Sequence, residues 1–466
     1  MANQKPSEKS AVPLVQQLAQ WVSDFDFASI PSDVMQQTKL LVLDSIGCAF
    51  AANREHAFQR ALRALGVQGG NPECAVIGSS LRLPVTHAVL ANGIAIRELD
   101  LNDIYIGPGQ TGHPSDNIAV ALSVGERQKI SGRDMLATVV LGYELYCRIQ
   151  DLIISRGGWD HVSASALAAP AMAGRMMNLD LDQLANALAL SAAHGNTLAA
   201  VRSGQLSNAK AMANGLVAQQ AVLCTLLAAQ GMTGPVAVFE TRGGLNQTFF
   251  ADADAAALLN PTDGHFRISD ASIKAFPCVG TAQAMVAGVL QARVKMNDPL
   301  EQIQNIEVRM ADIPFVRRQV EDEDRRRPTS RETADHSFFY LAAVALLDGE
   351  LTLAQFGENR WLDSSVRSLM ERITITTDPA LNVYTPGSYP SLLQITGQDG
   401  EKRSVESFYP LGHPKNRMSA SDVEAKFRGS TRAILSEAQQ SKIISSVANL
   451  DNLLSVGELM SDLAAP

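Results

Sequence analysis

The chain has 466 residues, 46% of them hydrophobic, which is enough to bury a large core and too long for one ordinary domain, so two domains are expected. Its 39 Lys and Arg stand against 48 Asp and Glu, and the resulting charge of -9 offers no general attraction to nucleic acid or to an anionic membrane. An anionic ligand would need a local basic pocket. Cys48, Cys74, Cys147, Cys224 and Cys278 are scattered, without the close pairs of a zinc or iron–sulfur site, and read as reduced thiols of a cytoplasmic protein.

The opening MANQKPSEKS lacks the apolar run of a signal peptide, and the longer apolar stretches are interrupted by polar or charged residues, so a soluble protein is expected. From Ser32 to about Leu258 apolar residues recur at helical spacing. Ser32 is expected to cap a helix over VMQQTKLLVLDSIGCAF. Ser131 with Asp134 opens a second helix through LATVVLGYELYCRI, and Asp180 caps a third that halts at His194-Gly195-Asn196. A fourth runs from roughly Asn208 to Gln230, ended by Gly231.

After Pro261 the texture changes. Ile306–Met310 and Arg372–Thr376 alternate like half-buried strands, and Leu392–Thr396 is joined to Lys402–Val405 through Gly397-Gln398-Asp399-Gly400. Helical stretches at Ala282–Ala292 and Ser337–Leu347 lie between them, and the chain turns helical again from Ser419. The expected architecture is mainly α: a large helical domain from residues 1–267 and 410–466, plus a smaller α+β domain from residues 268–409.

Gly107-Pro108-Gly109-Gln110-Thr111-Gly112 matches the dinucleotide-binding pattern, but the helix after it leads to another helix and Pro108 removes a backbone donor, so no βαβ unit and no nicotinamide site is expected. Around that loop stand Glu98, Asp100 and Asp103, then His113, Ser115 and Asp116, a plausible carboxylate-binding corner in which Ser115 or Asp116 would otherwise be a plain N-cap. His161 precedes the small-residue helix SASALAAPAMAG, where a structural role is the alternative. Lys210 interrupts an apolar helix, either reaching for water or aimed at a ligand, and Lys274 lies near the presumed domain junction. Asp335-His336-Ser337 precedes Tyr340 by about one helical turn. Glu321–Arg327 is expected to be a solvated loop. His, Lys, Tyr and Asp without metal clusters or phosphate loops are the equipment of proton transfer on an anion. A pyridoxal enzyme built on Lys274 or Lys210 lacks a phosphate loop, and a non-catalytic binding protein is the other rival.

The blocks ELDLND with GHPSDN, GYELYCR, GGWDHV, RSGQLSNAK with GMTGP, IKAFPC, RETADHSFFYLAAVALLDG and GHPKNRMS resemble the MmgE/PrpD family from about residue 32 to residue 428. The resemblance implies a large helical domain built from both chain ends, a smaller α+β domain, a site between them and a homodimer. It places Asp100, His113, His161, Lys210, Lys274 and Tyr340 at the family's active-site positions. The chain departs from the decarboxylase branch at Ile104, in the longer GPGQTG loop, and in Cys278-Val279-Gly280-Thr281-Ala282-Gln283, which lacks a His.

The implied activity is a cofactor-independent epimerase that moves the proton α to a carboxylate of a small polycarboxylate such as iminodisuccinate. The alternative is a lyase like 2-methylcitrate dehydratase or cis-aconitate decarboxylase. His113, Lys274, Asp100, His161 and Tyr340 are the expected catalytic set, with His113 as one base and Lys274 as the candidate for the other, a place that Tyr340, His161 or Asp100 could take instead. Lys210, Arg202, Ser203, Gln205, Tyr146 and His336 are the expected substrate-binding set. No metal or cofactor is expected.

Overall fold

A computed structural model of the protein describes residues 12–153, 158–251, 253–260, 264–295 and 302–464. The stretch MANQKPSEKS, Gly157 and Pro261 lie outside them.

The molecule is mainly helical, with a helical N-terminal part and a C-terminal α+β part, as the sequence pattern implies. The long helix Ser32–Ala51 is buried along most of its length. Pro31 occupies its cap with extended backbone and Ser32 makes no capping bond, so the expected serine cap is instead the first helical residue. Proline there costs nothing, because its missing N–H would have had no helical partner. Ser131 does cap Gly132–Leu152 by accepting from the Asp134 amide, and Asp180 forms a capping box with Gln183 at the head of Leu181–His194.

Ala209–Ala229 is long and apolar enough to cross a membrane by composition. It is a core helix here, packed against Val85–Arg97, Ser165–Met176 and Leu181–His194. Its crossing with Val85–Arg97 is close because glycines meet: a Cβ on Gly93 would lie 3.1 Å from the Gly215 Cα. One turn beyond Gly93 stands Arg97, and just over one turn before Gly215 stands Lys210, so this crossing brings two buried cations together.

The smaller part has its own core, from Cys278 through Phe338–Leu346 to Val405. Its four-stranded sheet has Ile303–Ala311 between Ile373–Asp378, which runs parallel to it, and Ser391–Gly397, which runs antiparallel; Lys402–Ser407 forms the far edge. Helices Gln283–Val294 and Phe338–Asp348 cover it. The last helices return to the first core: Phe427 of Ala420–Thr431 closes on Gly47, and Val423, Ile443 and Leu459 join the same cluster. Lys426 pairs with Asp44 at 2.5 Å and donates to the Leu101 carbonyl at 3.0 Å, fastening the loop that carries Asp100 and Asp103.

The Gly107–Gly112 stretch is no dinucleotide loop. Tyr105–Ile106 and Thr111–Gly112 pair as a short antiparallel hairpin, and the Gln110 amide donates to the Gln150 carbonyl at 2.8 Å. Glu321–Arg327 is not a solvated loop: Glu323–Arg326 is a short helix whose Arg325 is buried and donates to the Arg202 carbonyl at 3.1 Å.

Candidate active site

Asp100 lies just past the end of Val85–Arg97 with φ of 50°, a left-handed conformation that aspartate tolerates better than most residues. That turn aims its carboxylate at three cations. Lys274 donates to Oδ1 at 2.6 Å and to the Asp100 carbonyl at 2.9 Å; Arg97 reaches Oδ1 at 2.7 Å; Lys210 lies 3.2 Å from Oδ2. Burial alone would raise the Asp100 pKa, but Arg97, Lys210 and Lys274 hold it well below the usual carboxylate range. Lys274 feels burial most, which pulls its pKa down against the pull of Asp100.

Lys210 also bridges to Asp335, at 3.0 and 3.1 Å from its two oxygens, and its ammonium lies 3.3 Å from His336 Nδ1. His336 Nδ1 touches Asp335 Oδ1, and His336 Nε2 lies 3.4 Å from Asp100 Oδ2. Asp100, Asp335 and His336 converge closely enough to suggest a metal triangle, but the Lys210 ammonium already fills the cation position between the two carboxylates.

Next to this cluster two imidazoles face each other, with the His113 and His161 ring centroids 5.3 Å apart. The His113 Nδ1 lies 2.6 Å from the Asp103 carbonyl oxygen, which only accepts, so Nδ1 carries the proton and Nε2 keeps its lone pair. Burial, with Arg97 and Lys274 adding to it, pushes the His113 pKa well below its usual value. His161 is lowered to about 3, mainly by burial and with Arg202 contributing. Both rings are therefore neutral bases at neutral pH. Tyr146 ties them together: its oxygen accepts from the His113 amide at 3.2 Å and lies 3.3 Å from His161 Nδ1.

A network of buried carboxyls stands behind the pair. Asp103 accepts from Tyr143 at 2.8 Å and from the Ser115 amide at 3.2 Å, and Asn102 donates to Ser115 and to Asp116 at 2.9 and 3.0 Å. Burial raises Asp103 to about 6 and Asp116 to about 7, so both titrate close to neutrality. Among the described residues the Asp116 Oδ2 has no hydrogen-bond partner, and it lies 3.9 Å from Arg97 Nε.

Residues 16–257 match the MmgE/PrpD N-terminal domain, and residues 276–452 match the MmgE/PrpD C-terminal domain. The chain belongs to the MmgE/PrpD family. Within that family it is 25% identical over 456 residues to cis-aconitate decarboxylase of Mus musculus, covering 93% of this chain and 90% of the relative. It is 26% identical over 460 residues to the Homo sapiens protein of the same name, covering 93% and 91%. It is 27% identical over 439 residues to 2-methylcitrate dehydratase of Cupriavidus necator, covering 88% of each.

Of the residues expected in this MmgE/PrpD site, the structure brings together Asp100, His113, His161, Lys210, Lys274, Tyr146 and His336. It does not bring Tyr340 there. Its ring stacks edge-on with Phe356 and its hydroxyl donates to the Gln355 carbonyl, while Ser337 caps the helix above it. Arg202 gives Nε and one terminal nitrogen of its guanidinium to Asp160, at 2.6 and 3.1 Å. Ser203 is exposed, and Gln205 donates to Asp324 at 3.0 Å across to the smaller part. Arg97, Asp335, Asp160 and Tyr143 were not among the expected site residues. Arg97 carried one signal, a charge at the end of an otherwise apolar helical run, while Tyr143, Asp160 and Asp335 lie within the blocks GYELYCR, GGWDHV and RETADHS.

Proposed function

We propose that the protein is a cofactor-independent lyase. It removes the proton beside a carboxylate of a small polycarboxylate and expels the hydroxyl on the neighbouring carbon, in the manner that the name 2-methylcitrate dehydratase describes. The observation that carries this reading is the neutral His113, whose Nδ1 holds the proton, near Arg97 and Lys274, with Lys210 on the same Asp100. Removing a carbon-bound proton builds negative charge on the adjacent carboxylate, and buried cations stabilise that charge where it develops.

The relatives' names support this lyase alternative over the epimerase first expected from the sequence. Lys274, expected as a second base on the opposite face, is committed to the carboxylate and carbonyl of Asp100, which suits a charge stabiliser better than a base. Dehydration is placed ahead of decarboxylation on the chain's departures from the decarboxylase branch at Ile104, in the GPGQTG loop and in Cys278–Gln283. The chain is further proposed to work as a homodimer: Leu216, Leu223 and Leu227 leave an apolar stripe along Ala209–Ala229 that an assembly would cover.

Mixing the purified chain with 2-methylcitrate and with citrate while following the ultraviolet absorbance of a C=C–carboxylate product tests the reading. A rise with at least one of them is expected. A flat trace with both, together with carbon dioxide release from cis-aconitate, would move the assignment to decarboxylation.

A further inference from the structure

The buried cations of the cluster already face carboxylates of the chain itself. Lys210 is shared by Asp100 and Asp335, Lys274 is held by Asp100, and Arg97 lies between Asp100 and Asp116. Arg331, 3.9 Å from the Asp335 Oδ2, faces the same aspartate, and Arg202 is matched by Asp160. A polyanion entering this buried ground would leave uncompensated negative charge, which is costly in a low-dielectric interior.

His336 is built to resolve that imbalance. Each of its ring nitrogens faces a carboxylate oxygen, Nδ1 on Asp335 and Nε2 on Asp100 at 3.4 Å. A neutral imidazole has one N–H and would leave a lone pair against one of those carboxylates; an imidazolium has a proton for each. What opposes the charged form is burial and then the Lys210 ammonium at 3.3 Å, which together hold the pKa at about 3. A substrate carboxylate on Lys210 cancels the second of these and adds a third anion nearby.

We propose that His336 takes up a proton from solvent when a substrate carboxylate engages Lys210, so that polycarboxylate binding is linked to uptake of about one proton. The inference rests on the polycarboxylate reading above. Asp335 is the positioning residue: it fixes the ring through Nδ1 and supplies one of the two charges that make imidazolium favourable. Lys210, Asp335 and Asp100 are the charged groups facing the ring, with Arg97, Lys274 and Arg331 behind the two aspartates.

Titration calorimetry with propane-1,2,3-tricarboxylate, which has no hydroxyl to eliminate, tests this in buffers of differing ionisation enthalpy at a pH where the probe is fully ionised. The native chain is expected to take up about one proton, and His336→Gln and Asp335→Asn to bind with uptake near zero. Binding without uptake by the native chain overturns the proposal and leaves the polycarboxylate reading standing; no binding at all defeats both. Uptake undiminished in His336→Gln also overturns it, because Glu98, Asp103 or Asp116 would then be the acceptor. Should neither variant fold, nitrogen-15 spectra of the native chain labelled at its 8 histidines decide. One buried imidazole turning to imidazolium on adding the probe is expected, and no change in any of them overturns the proposal.

Discussion

Lys274 donates to Asp100 twice, to the carboxylate at 2.6 Å and to the backbone carbonyl at 2.9 Å, and so ties the left-handed turn of Asp100 to the segment that begins the smaller part. Neither residue is exposed. Removing the ammonium leaves a buried carboxylate with less compensation and frees the turn. Lys274→Met is therefore expected to lower stability by about 3 kcal/mol and kcat/KM by about 100-fold or more. Lys210→Met, which unpairs Asp335 as well, is expected to do the same. Thermal unfolding and steady-state kinetics check both, and native kinetics in both variants would remove the lysines from the site.

The pH dependence of turnover follows from His113. Its pKa lies well below the usual imidazole value through burial and the nearby Arg97 and Lys274, so the acid limb of kcat/KM is expected well to the acid side of the ordinary histidine range. His113→Gln is expected to remove turnover while leaving the fold intact. An acid limb at or above the ordinary histidine range would rule His113 out as the base.

Glu98 gives a stability prediction of opposite sign. It is buried, its Oε2 lacks a hydrogen-bond partner among the described residues, and burial raises its pKa to about 7 from 4.5. The folded state therefore binds this proton more tightly than the unfolded state. Its contribution is full below about pH 4.5 and is lost as pH rises towards 7. Glu98→Gln is expected to be more stable than the native chain at about pH 8, by up to about 3 kcal/mol, with little difference at about pH 4. Urea unfolding at both values is the check.

Close approach of two helices predicts a packing effect. A Cβ on Gly215 would meet Leu90 Cδ1 at 3.0 Å and the Leu90 carbonyl at 3.1 Å. Gly215→Ala is expected to push Val85–Arg97 away, costing about 1–3 kcal/mol and raising KM through the separation of Arg97 from Lys210. Unchanged stability would show that the crossing yields without strain.

Because Lys210 fills the gap between Asp100 and Asp335, activity is expected to survive dialysis against a strong chelator. Loss of activity restored by a divalent metal would contradict that arrangement.

Much of this was legible in the sequence. Periodic apolar residues gave the helices, and short-range caps such as Ser131 and Asp180 marked their starts, because those signals are local. The family blocks located Asp100, His113, Lys210 and Lys274. Where reading failed, the deciding contact was long-range. Arg202 looks free in RSGQLSNAK until Asp160, 42 positions earlier, is seen beside it. Tyr340 lies one turn from His336 in sequence, yet the helix starts only at Phe338, and the hydroxyl turns into the smaller core towards Gln355. The partners of Lys210, at Asp335 and His336, lie 125 and 126 positions away, beyond the reach of any spacing rule.

The central claim is that His113 takes a carbon-bound proton from a polycarboxylate whose neighbouring hydroxyl then leaves. Proton NMR in heavy water, following 2-methylcitrate, citrate, cis-aconitate and iminodisuccinate with the native chain and with His113→Gln, tests it most directly. The account predicts olefinic product from a hydroxylated substrate with the native chain and none with the variant. Deuterium entering iminodisuccinate with inversion and no olefin from any hydroxylated substrate, or native rates in His113→Gln, would contradict it.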